Sequence, residues 1–428
     1  MQTTPKSLRL TIAILGRTNV GKSSLLNYIA GQDVAITAPL PGTTTDVVEK
    51  PMELPPLGPV LFLDTAGLDD TTALGGQRVA RTVQAFDRAD IALLTLEPNQ
   101  FGPVEEQLLA RAKERKLPVI AVVGKCDLAA PAAAWQDEVS KFTPQVLTVS
   151  TRNAAGREVF RSALRSALLA LCPDDFLRPP PLVGDLVKPG GLVVLVVPID
   201  LQAPKGRLIL PQVQTIRDAL DNDAAALVVK ERELAHLLQR FTHPPDIVIC
   251  DSQAVQKVVA DTPDSVPCTT FSILFARLKG DLQRLAEGAA AVDRLRSGDA
   301  VLIAESCSHH ALEDDIGRVK IPRWLRQYTG AVLQVETTAG RDFPDDLSKY
   351  RLVVQCGGCM VTRREVLSRI QQAQAAGVPI TNYGLCIAQT QGVLRRVLAP
   401  FPAALAAYLR VAGGHEEEKE RRRNTKMV

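Results

Sequence analysis

The sequence lacks a marked excess of charge of either sign. Its 50 lysine and arginine residues are nearly balanced by 47 aspartate and glutamate residues, and part of the small basic excess lies in the tail Glu416–Lys426. Proteins that bind nucleic acid usually carry a basic face, because positive charge attracts the phosphate backbone. The composition therefore indicates that nucleic acid is not a partner.

The sequence also lacks the features that mark secreted or membrane-spanning chains. No run of about 18 apolar residues occurs, so no membrane partner is expected. No cleavable hydrophobic segment precedes the first predicted strand. We therefore expect a cytoplasmic protein, in which thiols stay reduced and closely spaced cysteines bind metal more often than they form disulfides.

The 428 residues, 46% apolar and 23% charged, are typical of a packed globular chain with several domains. Short apolar runs alternate with amphipathic stretches, which predicts an α/β protein with helices covering parallel sheets. The predicted strands are Leu8–Leu15, Val60–Asp64, Ile91–Leu96, Val119–Gly124, Gln145–Val149, Leu192–Pro198, Ala225–Lys230, Asp246–Asp251, Ala300–Ala304, Val332–Glu336, Leu352–Gln355 and Val378–Thr381. A proline-rich break at Cys172–Pro181 favours an extended linker. The predicted divisions are a first domain 1–173, a linker 174–183, a middle domain 184–280, a third domain 281–413 and a charged tail 414–428.

The segment from Gly16 to Ser23 has the pattern of a phosphate loop and lies between a predicted strand and a predicted helix. Glycines let backbone N–H groups turn inward, and the helix dipole favours the phosphate anion there. Lys22 is expected to reach the β and γ phosphates, and Ser23 is expected to bind Mg²⁺. The residues expected to contact the nucleotide here are Gly16, Asn19, Val20, Gly21, Lys22, Ser23 and Ser24.

Two downstream motifs complete the expected catalytic set. Asp64-Thr-Ala-Gly67 follows a hydrophobic strand; its aspartate would join the magnesium shell, and Gly67 would approach the γ phosphate. Thr44 in the Pro41–Asp46 stretch is expected to close over the magnesium ion, with its two threonine neighbours as alternatives. The expected catalytic residues are Lys22, Ser23, Thr44, Asp64 and Gly67.

The base-recognition motif is incomplete. Gly124-Lys-Cys-Asp127 stands where GTPases usually have Asn-Lys-x-Asp, so Lys125 and Asp127 are present and the asparagine amide is missing. Asp127 can accept hydrogen bonds from N1 and N2 of guanine, a contact that adenine cannot reproduce, and Ser150 would complete the pocket. We expect GTP and GDP to bind with guanine preference but weakly, because each missing hydrogen bond is worth about 0.5–1.5 kcal/mol.

In order and spacing, the motifs Gly16–Ser23, Pro41–Asp46 and Asp64–Gly67 resemble the translation-factor-related GTPases, particularly the group that contains the tRNA-modification protein MnmE. Leu68 occupies the place of the water-orienting glutamine of Ras-like proteins, so that catalytic element is missing. Asn19 matches the asparagine that helps to bind a potassium ion in the MnmE-like group. The resemblance implies slow, potassium-stimulated hydrolysis, in which K⁺ supplies part of the positive charge.

Two cysteine motifs follow predicted strands in the third domain. Cys307-Ser-His309 comes after one strand, and Cys356-Gly-Gly-Cys359 comes after another. The carboxyl ends of parallel strands share one edge of a sheet, where loops converge on ligands. Three thiolates from two loops suit a [4Fe–4S] cluster with one open iron site, whereas the same thiolates with His309 would suit tetrahedral zinc.

The remaining cysteines are less informative. The isolated Cys126, Cys172, Cys250 and Cys268 are expected to be small buried hydrophobes. Cys386 also follows a predicted strand, but we expect it to pack in the core.

The domain order, with Cys-x-His followed at long range by Cys-Gly-Gly-Cys, resembles the HydF family of [FeFe]-hydrogenase maturation GTPases. The stretch Cys307–Trp324 looks like the cluster-domain signature of that family. The resemblance implies a dimerisation domain at 184–280 and a [4Fe–4S] cluster-binding domain at 281–413. It also implies a homodimer or higher oligomer that acts as a scaffold for a transient diiron precursor with carbon monoxide and cyanide ligands. The implied partners are apo-[FeFe]-hydrogenase, which receives that precursor, and the radical-SAM maturases HydE and HydG.

One residue departs from the family pattern. Gln355 stands where many members have a histidine directly before Cys-Gly-Gly-Cys. Glutamine is a poor cluster ligand, so the fourth iron site is expected to be open or held by water, a guest or another side chain. The candidate side chains are His309, His310, Glu313, Asp314 and Asp315.

Two other interpretations remain open. An MnmE- or Era-like GTPase in tRNA or ribosome maturation would hold structural zinc in its third domain, and would be colourless. An enzyme that performs redox chemistry at its own cluster would need a second substrate site, and the sequence has no radical-SAM Cys-x₃-Cys-x₂-Cys motif.

Overall fold

A computed structural model of the chain shows two compact units, Met1–Pro179 and Pro180–Val428. The structure describes residues 5, 8–32, 48–67, 82, 85, 86, 88–177, 180–198, 208–306, 315–340, 343–359 and 361–425, with side chains up to 413. Both units are α/β, as predicted.

The first unit is built on a six-stranded sheet with the order β2-β3-β1-β4-β5-β6. Its strands are β1 (Leu10–Leu15), β2 (Val48–Leu54), β3 (Gly58–Asp64), β4 (Ile91–Leu96), β5 (Val119–Val123) and β6 (Val146–Thr148). All neighbouring strands are parallel except β2 and β3, which are antiparallel. Strand β2 was not predicted, because it is a half-exposed edge strand that contains Pro51 and lacks a continuous apolar run.

Helices cover both faces of this sheet. They are α1 (Lys22–Ala30), α2 (Pro103–Glu114), α3 (Ala133–Ser140), α4 (Arg157–Leu171) and α5 (Asp174–Leu177), with a 3₁₀ turn at Ala154–Gly156. Successive side chains of a strand point to opposite faces. Accordingly Leu10, Ile12 and Ile14 pack in one hydrophobic cluster, and Ala13 and Leu15 pack in the other.

The second unit contains two four-stranded parallel sheets. One has the order β10-β9-β7-β8 and the other has the order β12-β11-β13-β14. The strands are β7 (Leu192–Val196), β8 (Ala225–Val229), β9 (Ile247–Cys250), β10 (Cys268–Thr270), β11 (Ala300–Ala304), β12 (Gln334–Thr338), β13 (Leu352–Gln355) and β14 (Ile380–Asn382). Strand β10, only three residues long, was not predicted, and β12 begins two residues later than predicted.

The helices of the second unit pack its two sheets into one continuous hydrophobic core. They are α6 (Leu210–Asp221), α7 (Leu234–Leu238), α8 (Val255–Asp261), α9 (Phe271–Lys279), α10 (Leu282–Ala290), α11 (Ile321–Thr329), α12 (Arg363–Ala375), α13 (Tyr383–Thr390), α14 (Leu394–Leu398) and α15 (Pro402–Thr425), with 3₁₀ turns at Gly184–Leu186, Ser252–Ala254 and Ala291–Arg294 and a π turn at Ile316–Lys320. Helix α9 packs against α6, α12 and α13 and so joins the middle and third segments of the chain.

The predicted linker 174–183 spans the division between the two units. Leu182 and Val183, at its end, are buried in the core of the second unit. Their N–H groups and that of Gly184 all donate to one carboxylate oxygen of Asp218, at 2.7–3.0 Å. The division of the second unit into two domains at 280 stays a prediction. Among the described residues, no helix is both long and apolar enough to cross a bilayer.

Candidate functional site

The phosphate loop connects the end of β1 to the start of α1. Gly16 has φ +145°, and a Cβ atom there would lie 2.6 Å from the backbone oxygen of Thr95 in β4. Gly21, directly before α1, has φ +106°. Only glycine adopts these conformations without strain or collision, so the loop geometry follows from its two glycines.

Lys22 points back into this loop and is 7% exposed. Its ammonium group donates to the backbone oxygens of Gly16 at 3.2 Å and Arg17 at 2.6 Å. The cation therefore lies on the concave side of the loop, where it could bind phosphate oxygens. Arg17 turns outward and forms an ion pair with Glu105, a buried residue in the first turn of α2.

Ser23 and Asp64 meet at the end of β3. The Ser23 hydroxyl donates to Oδ2 of Asp64 at 2.6 Å. Burial raises the pKa of Asp64 above its ordinary value, although the Ser23 bond and the charge of Lys22 oppose the shift. Within the described part of the chain, Oδ1 of Asp64 is buried without a hydrogen-bond partner. An unsatisfied carboxylate oxygen beside a serine hydroxyl fits the oxygen ligand set of Mg²⁺.

Gly67 lies against the phosphate loop. A Cβ atom at this position would lie 2.4 Å from the backbone nitrogen of Thr18, so only glycine allows this approach. Two other residues of the expected catalytic region, Thr44 and Leu68, lie outside the described residues.

Lys125 connects the base motif to the phosphate loop. Its ammonium group donates to the backbone oxygen of Asn19 at 2.9 Å and forms an ion pair with Glu97 at the end of β4. Asp127 is exposed, and the neighbouring Ser150 hydroxyl lowers the pKa of its carboxyl group. Glu97 and Glu105 were not predicted as site residues, although Gly102-Pro-Val-Glu105 has the spacing of a helix-capping pattern that indicates a role for Glu105.

Cys356 and Ser306 lie together at one edge of the sheet that contains β11 and β13. These neighbouring parallel strands place Ala304 beside Gln355, and the Cys356 N–H donates to the Ala304 oxygen at 2.9 Å. The backbone N–H of Ser306 donates to Sγ of Cys356 at 3.2 Å, and that thiol donates to the Ser306 hydroxyl at 3.0 Å. Ser306 is the residue before Cys307, so the loop of the first motif starts beside Cys356.

Cys356 and Cys359 are both half-buried. The turn between them uses Gly358 at φ +65°, which a residue with a side chain rarely adopts. Two thiols with a two-residue spacing and an N–H group aimed at sulfur fit an iron–sulfur or zinc ligand set. Cys307 and His309 lie outside the described residues, and within those residues no group of three metal-binding side chains is formed.

The other predicted positions near this edge do not join the cysteines. Gln355 is 3% exposed within β13. Cys386 lies inside α13 rather than in a loop, and burial raises the pKa of its thiol to about 12. The isolated Cys172, Cys250 and Cys268 are buried, and Cys126 is partly buried with its thiol on the Val123 oxygen at 3.2 Å.

A glycine-bearing phosphate loop between β1 and α1, with a carboxylate at the end of the adjacent β3, defines a P-loop GTPase domain in the first unit. Residues 11–125 match a family model described as a 50S ribosome-binding GTPase. Residues 182–280 match the hydrogen maturase F dimerization domain, and residues 283–400 match the hydrogen maturase F tetramerization domain. The chain belongs to the hydrogen maturase F family. The two matched domains indicate association with further copies of the chain.

The curated relatives match in the GTPase region. The tRNA modification GTPase MnmE of Nitrosomonas europaea is 39% identical over 158 residues, which are 36% of this chain and 34% of that protein. MnmE of Acaryochloris marina is 45% identical over 120 residues, which are 28% of this chain and 26% of that protein. The chain thus spans about a third or less of the length of these relatives.

Among solved structures, Aquifex aeolicus Era bound to GDP and aluminium fluoride is 23% identical, with a TM-score of 0.35, over 54% of this chain and 98% of that chain. The G domain of the T. maritima FeoB iron transporter is 22% identical, with a TM-score of 0.30, over 39% of this chain and 99% of that chain.

Proposed function

We propose that this GTPase is a scaffold that binds a [4Fe–4S] cluster and delivers a diiron precursor to apo-[FeFe]-hydrogenase. Cys307, Cys356 and Cys359 are the proposed ligands. The observation that carries the proposal is the hydrogen bond from the Ser306 N–H to Sγ of Cys356, because it brings the start of the Cys307 loop to the Cys-Gly-Gly-Cys motif. The membership of the chain in the hydrogen maturase F family supports the same function.

The ligand set leaves one coordination position open. Gln355, at the place of a histidine in many relatives, is buried in β13 and is a poor ligand, so the chain offers three thiolates. His309, His310, Glu313, Asp314 and Asp315 remain candidates for a weak fourth contact. When bound, the cluster supplies an iron that can accept a bridging ligand such as cyanide. The cysteines hold that cluster, and the diiron unit with carbon monoxide and cyanide ligands is the cargo.

GTP turnover is proposed to act as the switch. Lys22 would bind the β and γ phosphates, Ser23 with Thr44 would hold Mg²⁺, and Asp64 with Gly67 would respond to the γ phosphate. Lys125, Asp127 and Ser150 would select guanine. Asn19 is the proposed ligand of a potassium ion that stimulates slow hydrolysis.

The proposed partners follow from the family. The chain would act as a homodimer or higher oligomer in the cytoplasm, would work with the radical-SAM maturases HydE and HydG, and would transfer its cargo to apo-[FeFe]-hydrogenase. The near-neutral charge supports the absence of a nucleic-acid partner.

Anaerobic iron–sulfide reconstitution followed by EPR of the reduced protein tests cluster binding. The wild-type chain should show a [4Fe–4S] signal that is lost in Cys307→Ser, Cys356→Ser and Cys359→Ser. Cys126→Ser, in the first unit, is the matched control and should keep the signal. A signal that survives all three serine substitutions, or a colourless protein that holds zinc, would reject the proposed cluster.

Delivery needs a separate assay. The loaded chain is mixed with apo-[FeFe]-hydrogenase that was produced without maturation proteins, and hydrogen evolution is measured. Evolution that requires the loaded chain supports delivery, and its absence with a fully loaded chain contradicts delivery alone.

The similarity to MnmE gives a second candidate, a GTPase in tRNA or ribosome maturation with a structural metal site. That similarity is confined to about a third of the chain. Zinc in place of iron after purification, together with co-purifying RNA, would favour this candidate over the scaffold.

A further inference from the structure

Lys279, the last residue of α9, lies directly beneath the Cys-Gly-Gly-Cys turn. Its ammonium group donates to the backbone oxygens of Gly358 at 2.8 Å, Val361 at 3.0 Å and Cys359 at 3.4 Å. The side chain is 3% exposed. An ammonium group has three donors, and three carbonyl groups of one turn satisfy all of them. Lys279 therefore fixes the backbone on which Cys359 is carried.

The charge of Lys279 is not balanced by these bonds. None of its hydrogen-bond partners among the described residues carries a formal charge. Burying an ammonium group without a counter-charge is unfavourable. Cysteine thiolates that hold a cluster would supply the negative charge that these hydrogen bonds do not.

Glu365 is engaged with another cation. Its carboxylate lies 3.8 Å from the guanidinium of Arg369, which is also buried. Arg369 donates to the Ser306 hydroxyl at 3.2 Å, and that hydroxyl accepts from the Cys356 thiol. Arg369 and Glu365 thus form a pair behind Cys356. Lys279 is left as a buried positive charge under the second cysteine.

We infer that Lys279 is a positioning residue of the cluster site, which holds the Cys356–Cys359 turn and offsets the negative charge of the bound cluster. This inference rests on the proposed cluster binding. Three thiolates around an oxidised [4Fe–4S] core of two positive charges leave one net negative charge, which a single buried ammonium group can offset. Because reduction adds a further negative charge, Lys279 favours the reduced cluster and raises its potential.

The position of Lys279 in the chain adds a second consequence. Lys279 belongs to the matched dimerization domain, 182–280, whereas both cysteines belong to the matched tetramerization domain, 283–400. The Arg363 guanidinium, at the start of α12, donates to the Leu278 oxygen at 2.5 Å and reinforces the same junction. The preceding domain therefore contributes one positive charge, the ammonium group of Lys279, to the cysteine site.

The test is an EPR-monitored redox titration of the reconstituted full-length chain. Lys279→Met keeps the length of the side chain and removes its charge, and should shift the cluster potential to more negative values. Lys257→Met removes an exposed lysine of the same unit that pairs with Asp261, and should leave the potential unchanged. Lys279→Arg keeps the charge and should restore a potential close to wild type.

A cluster potential that is the same in Lys279→Met and wild type overturns the inference, whatever the melting temperature of the variant. Should Lys279→Met hold no cluster, the titration is made on Lys279→Gln, whose amide can still donate to the turn. Loss of the cluster in both neutral variants but not in Lys279→Arg supports the inference, and equal loss in all three contradicts it. Failure of the wild-type chain to bind any cluster rejects the proposed function instead.

Discussion

Arg17 of the phosphate loop and Glu105 of α2 form a two-pronged ion pair, with Nε 2.6 Å from Oε1 and Nη2 2.5 Å from Oε2. The same carboxylate accepts from the Gly102 N–H at 3.0 Å and so begins the helix. One buried side chain thus connects the conformation of the phosphate loop to the first turn of a helix that lies far along the chain.

Loss of this pair should loosen the nucleotide site. In Glu105→Gln, the guanidinium loses its counter-charge, and we expect a loss of about 1–2 kcal/mol in the free energy of unfolding, since Arg17 is 33% exposed and partly screened. Nucleotide affinity should fall as well. Urea unfolding and nucleotide titration measure the two effects. Glu158→Gln, which removes an exposed pair with Arg161, should change stability by less than about 0.5 kcal/mol. Equal effects of the two substitutions would contradict the role of Glu105.

Restoring the missing amide should strengthen guanine binding. A Cβ atom at Gly124 would lie 3.8 Å from its nearest neighbours, the backbone oxygens of Leu96 and Val20, so a side chain fits there. We expect Gly124→Asn to bind GDP about 2- to 12-fold more tightly, because one hydrogen bond contributes about 0.5–1.5 kcal/mol. Fluorescence titration with a labelled nucleotide gives the affinity. Gly124→Ala is the control and should match wild type; a gain of the same size there would point to backbone rigidity instead.

Potassium stimulation should depend on the side chain of Asn19. This residue has φ +60°, which glycine also adopts without strain, so Asn19→Gly removes the amide and leaves the loop intact. Phosphate release by the wild-type chain should be faster in potassium chloride than in sodium chloride, and the variant should hydrolyse GTP equally in both salts. Equal rates in the two salts for wild type would reject the potassium proposal.

Alkylation of the folded chain should modify the half-buried cysteines faster than the buried ones. The pKa of Cys386 is raised to about 12 by desolvation, so only about one thiol in ten thousand is ionised at pH 8. Iodoacetamide should therefore modify the half-buried Cys356 and Cys359 of the cluster-free chain, and should reach Cys386 only after unfolding in urea. Peptide mass spectrometry measures each site. Rapid labelling of Cys386 in the folded chain would show that α13 opens, and would contradict the assignment of Cys386 as a packing residue.

Much of the fold was predictable because its signals are local. The apolar runs that form β1, β4, β11 and β13 are bounded by residues that end strands. The glycines of the phosphate loop are recognised from the local motif alone, without any distant residue. Strand β2 carried no such signal, since its polar residues and Pro51 pair only with β3. The Cys-Gly-Gly-Cys motif could also be recognised, because two cysteines with a two-residue spacing are typical of metal-binding sites.

The sequence by itself determined the phosphate loop, the order of strands and helices, and the kinds of side chain that could bind nucleotide and metal. Only the tertiary structure decided which charged side chains contact these sites. Glu105 is 88 positions from Arg17 and Lys279 is 79 positions from Gly358, so no local pattern could connect either pair. Their contacts exist because parallel strands bring distant loops to one edge of a sheet. They also exist because a buried charged group must be stabilised by the polar groups that lie close to it.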